Sequence, residues 1–430
     1  MTGGQQTADR GSRTADSGPQ TAHGGLFGWW REGTPQARTA LIAAGMGWLL
    51  DAFDVTLFAM TLPALRAELG FSGYQAGLLG SVTLLAAAAG GVWFGWFADR
   101  FGRTRALMLS IAVYSLFTAA CGLAANFEQF LIFRILLGIG MGGEWASGAS
   151  LVSENWPDAH RGKALGLMQS AWAIGYALAA LVTMLVQPAF GWRAVFFVGI
   201  LPALLTIWIR RRVKEPELWR ARGAAQSGSR FGALFRRPFG PLTLALTLMN
   251  TCTLFAWWGF FLWLPSYLRE PVERGGVGLQ LVSSSTFILV MQAGMWFGYV
   301  TFGFVSDRIG RKRTYVTYLI TAAALLFVYL SIRNPLALLA LGPFVAFFAT
   351  GYYSGFGAVT AEIFPTAIRA TAQGFTYNMG RIASAAAPFV VGTLAQTHGF
   401  AFALMLTSAA FLLAALAWIW IPETRGRKLA

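Results

Sequence analysis

The chain has 430 residues, 56% of them hydrophobic and only 12% charged, with a formal net charge of +15. Soluble domains carry roughly 25% charged residues, so this composition excludes a water-soluble enzyme built on a single core. The apolar residues recur in runs of about 20, the helix length that spans about 30 Å of hydrocarbon, and the chain reads as an all-α membrane protein.

Residues 1–37 are rich in Gly, Ser, Thr and Gln, contain no long apolar run, and read as a disordered cytoplasmic tail without a cleavable signal. Six spans follow near 39–65, 75–98, 106–125, 129–153, 164–187 and 194–210, forming a first bundle over 38–210. A basic linker, 211–240, leads to six more near 241–268, 280–305, 315–332, 336–359, 372–396 and 400–421. These form a second bundle over 241–421, and 422–430 is a short tail. Lys and Arg resist translocation, so the side that holds most of them is cytoplasmic. Most of the 33 fall in the tails, the linker and alternate loops, whereas Arg66, Arg193, Arg269, Arg274 and Arg333 occupy the other loops. Both termini are therefore expected in the cytoplasm of a bacterial-type inner membrane. Topology also accounts for the positive charge, and nucleic acid is not an expected partner. Cys121 and Cys252 fall inside spans, which points neither to a disulfide framework nor to a metal site.

The two bundles share a repeat. Gly95, Asp99, Arg100, Gly102 and Arg103 recur as Gly303, Asp307, Arg308, Gly310 and Arg311, each 208 positions later (95 to 303). Glu154, Pro157, Arg161 and Gly166 recur at the same offset as Glu362, Pro365, Arg369 and Gly374. Two signatures with one offset mark an internal duplication. Parallel repeats of this kind place a substrate site near midplane, between halves that rock to expose it to each side in turn.

The segment GWFADRFGRTR, repeated as GFVSDRIGRKR in the corresponding loop, resembles the signature loop of the major facilitator superfamily. That resemblance implies two pseudo-symmetric six-helix bundles of twelve transmembrane helices, and transport by alternating access with no cofactor beyond a proton gradient. The loop glycines are expected to let helices approach closely, and Asp99 and Asp307 to accept hydrogen bonds from a helix N-terminus or a nearby Arg. Arg103 and Arg311 are expected to pair with Glu154 and Glu362. Together with Arg100, Arg308, Arg161 and Arg369 these residues would latch a cytoplasmic gate. The terminal PETRGRK resembles the tail of sugar porters and brings Glu423 and Arg425 towards that network. GWLLDAFDVTLF, RILLGIGMGGEWASGASLVSENWP and EIFPTAIRATAQGFTYNMGR are similar to the metabolite, lactate and sialate proton symporters. The seventh span, LMNTCTLFAWWGFFLWLP, departs from fungal lactate permeases in lacking their polar His-containing motif.

Formal charges well inside the spans are Asp51, Asp54, Arg134, Glu144 and Arg381. Each costs about 2.5 to 3.5 kcal/mol at a lipid-facing helix centre, so these groups are expected to face the protein interior. Mutual structural pairing is the bland reading; proton and anion handling is the functional one. Asp51 and Asp54, three residues apart, share a helix face, and two carboxylates this close repel one another, which favours holding a proton. With Glu144 as a further carboxylate they are expected to carry the coupling proton, since His23, His160 and His398 all fall outside the spans. Arg134 is too far along its helix from Glu144 to pair with it. Resemblance to the fourth-helix Arg of proton-coupled facilitators makes it a partner for Asp51 or Asp54.

Arg381 falls near midplane, where a guanidinium fork suits a carboxylate substrate, with Tyr377 and Asn378 a turn away. Gln169, Asn250, Gln292, Tyr352 and Tyr353 lie at comparable depth on other spans and complete the expected substrate set, whereas Trp257 and Trp258 read as packing. The expected function is proton-coupled uptake of a small organic acid, a monocarboxylate or a sialate-like acid, by a monomer in the lipid bilayer. Competing readings are symport of a sugar, a polyol or an aromatic acid, proton-driven drug export, and a non-transporting sensor. Against export, the fifth span LGLMQSAWAIGYALAALVTML lacks the Pro of export relatives.

The topology makes a direct prediction. Cysteines placed at Glu128 and His398 should react with an impermeant thiol reagent in intact cells; protection at either position until the membrane is permeabilised overturns the assignment.

Overall fold

The computed structural model describes residues 28–215 and 231–425. The expected tail up to residue 27, the middle half of the linker (216–230) and the last five residues lie outside these ranges, as do the side chains of Asp99, Arg161 and Arg369. In the first half the helices are α1 (Pro35–Leu69), α2 (Gly73–Phe101), α3 (Arg103–Cys121) and α4 (Phe127–Asn155). The run Asp158–Val198 breaks at Gly191, where φ is 76°, so 158–190 forms α5 and 192–198 begins α6, which continues as Ala203–Arg212. The second half contains α7 (Phe239–Phe261, continued by Leu264–Arg269), α8 (Leu281–Ile309) and α9 (Arg311–Ser331). It then adds α10 (Pro335–Thr350, a tighter turn Gly351–Gly355, and Phe356–Ile363), α11 (Thr366–Ser384, continued by Ala386–His398) and α12 (Phe400–Ala417).

Ten described runs are long and apolar enough to cross a membrane. One of them, Gly162–Ile209, contains two crossings, and the interrupted, more polar α11 supplies another, which makes twelve. Several helix starts follow from local chemistry. The Thr34 hydroxyl accepts from Ala37 N at 3.1 Å and Pro35 opens the first turn, so α1 begins before the run 39–65 that hydropathy alone suggests. Ser72 and Gln75 form a reciprocal capping box on α2. The outward surface exposes large apolar side chains such as Phe190 (74%), Leu244 (71%) and Leu336 (75%), as a chain solvated by lipid should.

The duplication is visible in packing. In the first half α1 packs on α5, α2 on α4, and α3 on both α4 and α6; in the second, α7 packs on α11, α8 on α10, and α9 on both α10 and α12. Small residues set the α2–α4 and α8–α10 approach: a Cβ on Gly90 would strike the Ile139 carbonyl, and one on its repeat Gly298 the Phe347 carbonyl. The signature-loop positions expected to do this, Gly95 and Gly303, do not, since a Cβ on either meets nothing within 4 Å. The close approach lies more than a turn earlier on each helix.

We call the end of the bundle that carries the two signature loops the signature face, and the other end the far face. At the signature face Arg103 pairs with Glu154 at 3.3 Å, and Arg311 with Glu362 at 3.0 Å and Asp307 at 2.6 Å. The Thr424 hydroxyl also donates to Glu362. Gly102 and Gly310 turn the chain with φ of 115° and 105°, a region open to glycine, and expose the first amides of α3 and α9. Glu423 accepts from Arg311 N at 2.8 Å and Lys312 N at 3.1 Å; Glu215 accepts from Thr104 N at 3.1 Å and Arg105 N at 3.3 Å. The two carboxylates keep the repeat offset, a further pair that reading the loops alone misses. At the far face the halves are pressed together: Gly73 meets the Gly392 carbonyl, Trp263 Nε1 donates to Pro388 O at 3.0 Å, and Arg66 lies 3.9 Å from Glu270.

Partial burial pushes the Glu423 carboxyl up, but the backbone amides of Arg425, Arg311, Lys312 and Thr424 outweigh this and hold it below the usual carboxylate range. A group lowered by folding stabilises above its unfolded pKa, and that contribution is lost as pH falls through the folded value. Glu423→Gln should therefore lower the Tm of the purified protein at about pH 7, with a gap that closes as the pH falls below about 4. An equal gap at both pH values contradicts the cap.

Candidate functional site

The charged residues of the first half converge on α1 and α4. Asp51 and Asp54 are each 1% exposed, and neither oxygen of Asp54, nor Oδ2 of Asp51, has a hydrogen-bond partner among the described residues. Arg134, from α4, is the cation that acts on Asp54, and its guanidinium lies 4.3 Å from the centre of the Phe58 ring, a cation–π contact. Glu144 is fully buried and its Oε1 sits 2.6 Å from where residue 47 would carry a Cβ, so the carboxyl fits against α1 because Gly47 has none. Asp51 is its charged neighbour, and neither oxygen of Glu144 is hydrogen-bonded among the described residues.

Arg381 comes from the opposite half. It lies 5% exposed on α11 just before that helix is interrupted at Ala385, and its carbonyl accepts from the Ser384 hydroxyl at 2.9 Å. Arg381 is the cation whose charge reaches Asp51, and Tyr377, one turn away, lies within reach of both. No salt bridge joins Arg381 to a carboxylate among the described residues. Asp51 and Arg381 are thus buried on opposite halves, with no salt bridge between them among the described residues.

Around them runs a belt of aromatic rings, one helix handing on to the next. Trp48 of α1 lies 4.7 Å from Trp172 of α5, which lies 5.6 Å from Trp257 of α7. Trp257 is 6.5 Å from Tyr353, which is 5.1 Å from Phe356, both on α10. Phe356 lies 6.4 Å from Tyr377 of α11, whose ring stacks on Trp145 of α4 at 4.9 Å and 17°. Glu144, next to Trp145, closes the circuit against Gly47 on α1. Six helices from both halves thus meet the same central space. Trp145, Tyr353, Phe356 and Tyr377 are only half-buried, while the tryptophans of α1, α5 and α7 are fully buried.

The other expected substrate residues divide. Asn250 packs against Gly380 and Gln292 donates to its own helix at Ile288 O, 3.3 Å, each leaving its side-chain oxygen unpartnered among the described residues. Asn378 is half-buried and donates to Gly374 O at 2.9 Å. Gln169 is half-buried on α5. Tyr352 is fully buried, its carbonyl accepting from the Tyr315 hydroxyl at 2.8 Å and its ring 6.2 Å from Phe411, and it backs the belt by stacking on Tyr353 at 4.7 Å. Trp257, read as packing from sequence, is a belt member. Trp48, Trp145, Trp172 and Phe356 escape sequence reasoning altogether. The legible signal was position: Trp48 precedes Asp51 by one turn and Trp145 adjoins Glu144. Among the described residues no group of three His, Cys, Asp or Glu is placed to hold a metal.

A twofold-repeated six-helix bundle with opposed buried charges at the boundary of its halves defines a secondary transporter. The chain belongs to the Major Facilitator Superfamily, whose family model matches residues 45–300 and 276–430. It is 32% identical over 386 residues to the sialic acid transporter NanX of Escherichia coli, covering 89% of this chain and 93% of that protein. It is 31% identical over 391 residues to the cis,cis-muconate transport protein of Acinetobacter baylyi, covering 89% and 94%. A solved structure of a D-xylose-proton symporter superposes with a TM-score of 0.73 over 92% of this chain and all of that one, at 22% identity, a likeness of fold.

Proposed function

We propose that the protein imports a small organic acid anion together with a proton, with Asp51 as the proton carrier and Arg381 as the anchor for the acid. One observation carries the reading: a carboxylate and a guanidinium, each at most 5% exposed, are buried on opposite halves with no salt bridge to either among the described residues. While Asp51 is ionised it serves as the counter-charge of Arg381. A proton on Asp51 removes that counter-charge, and an isolated buried cation is unfavourable by several kcal/mol. The carboxylate of the substrate restores it. Proton and acid are therefore favoured together, or not at all, which is the condition for symport. Release reverses the order: loss of the proton lets Asp51 reclaim Arg381 and weakens the hold on the acid.

Asp54 and Arg134 are two further buried charges nearer the far face, and with Glu144, buried against Gly47 on the helix that carries Asp51, the two carboxylates are further candidates for passing a proton to it. The Arg103–Glu154 and Arg311–Glu362 pairs act as latches on the signature face, which we assign to the cytoplasm. The names of the two relatives, a sialic acid transporter and a muconate transport protein, support an acid over a sugar or polyol.

In proteoliposomes, Asp51→Asn should lose accumulation driven by a pH gradient and retain exchange of preloaded acid, tested on labelled lactate, benzoate and sialic acid. Gradient-driven accumulation at the parent level in both Asp51→Asn and Asp54→Asn contradicts the assignment. Arg381→Lys should bind the transported acid more weakly, and Arg381→Ala weaker still, by roughly two to four decades. Unchanged affinity in Arg381→Ala favours a neutral sugar.

A further inference from the structure

The aromatic belt does more than fill space. Buried indoles normally place their N–H on an acceptor, and elsewhere in this protein they do: Trp156 Nε1 donates to Ala37 O at 2.8 Å, Trp192 Nε1 to Glu68 at 2.7 Å, and Trp263 Nε1 to Pro388 O at 3.0 Å. Trp48, Trp172 and Trp257 break the pattern. Each is 4% exposed, and none of their N–H groups has a partner among the described residues. A fourth such indole, Trp418, lies apart against Tyr315. Three unmet donors in consecutive contact, each on a different helix and at the boundary between moving halves, are a poor packing solution. They make a ready recognition surface for something flat that accepts hydrogen bonds.

Resting on the assignment of Arg381 as the anchor for an acid, we propose that the substrate class is a planar, π-conjugated carboxylic acid that bears a second hydrogen-bond acceptor. Its carboxylate lies on Arg381. Its flat face lies against the ring of Trp172, to which Trp257 stands at 71°, and its second acceptor, a ring nitrogen, a carbonyl or another carboxylate, takes an indole N–H. A puckered, polyhydroxylated acid fits this surface poorly, because its many hydroxyls would face apolar ring planes while few acceptors answer them. A saturated ring acid keeps the carboxylate and the size but loses the stacking, which separates the two ideas experimentally.

The test is equilibrium binding of benzoate, pyridine-3-carboxylate and cyclohexanecarboxylate to the purified full-length protein. The parent should bind benzoate at least about tenfold more tightly than cyclohexanecarboxylate, and pyridine-3-carboxylate more tightly again. In Trp172→Leu the preference of benzoate over cyclohexanecarboxylate should fall to about threefold or less. Trp172→Phe, the milder change, should keep a preference for benzoate over the saturated acid. The comparison in the parent needs no variant to fold. Equal affinity for benzoate and cyclohexanecarboxylate, both abolished in Arg381→Ala, overturns the planar class and leaves the anion reading intact. Binding of none of the three acids to the parent counts against both readings, whereas a planar preference that survives Arg381→Ala supports the belt and removes the anchor.

Discussion

Everything in this protein is arranged around one constraint: an ionised group taken out of water has to find a counter-charge. Asp51, Asp54, Arg134, Glu144 and Arg381 are all at most 5% exposed, at a depth where an unpaired charge is unfavourable by several kcal/mol. Within the first half, the Arg134 guanidinium rests on the Phe58 ring. In the proposed mechanism the balance is struck across the boundary of the halves, between Asp51 and Arg381, which makes the electrostatic state of the centre and the relation between the two bundles one variable. That coupling is how the proposed symport would let a proton gradient do mechanical work.

The scaffold supplies two kinds of contact around this centre. Near the core of each half, glycines such as Gly90 and Gly298 bring backbones so close that each bundle behaves as a unit. Between halves, α5 packs on α8 and α2 on α11, with ring stacking of Trp145 on Tyr377, an Arg66–Glu270 pair at 3.9 Å, and a glycine-to-carbonyl seal at Gly73 and Gly392. Interruptions in α7, α10 and α11 fall near this boundary, where transporters expose backbone groups and flex. The far face is held shut in this arrangement, while the half-buried rings of the belt lie towards the signature face.

Much of the architecture was legible because lipid imposes simple rules. Span length, the 208-residue repeat and the intramembrane charges are properties of single segments or of their spacing, and the twelve crossings follow from them. The Arg103–Glu154 and Arg311–Glu362 pairs were readable for the same reason, since the repeat doubles the signal. What sequence reasoning lost is what depends on side-chain direction between distant helices. Trp48 and Trp172 carry no mark that separates a belt from a core, and only their contact at 4.7 Å reveals one. Tyr352 and Tyr353 are neighbours in sequence, and the tight turn Gly351–Gly355 stacks their rings at 4.7 Å, with Tyr352 against Phe411 and Tyr353 against Trp257. Glu215 sat in plain view at the repeat offset, but the carboxylate was unremarkable until Gly102 and the start of α3 were seen above it.

The central claim is that acid and proton share one balance of charge at Arg381. Its most direct test is proton uptake on binding, followed with a pH indicator as an acid the parent binds is titrated into weakly buffered, detergent-purified protein. Binding in the parent should take up protons, in an amount that grows towards one per acid as the pH is raised and Asp51 ionises in the free protein, and none should be taken up in Asp51→Asn. Binding of the acid by the parent with no proton uptake anywhere between about pH 5 and 8 would contradict it.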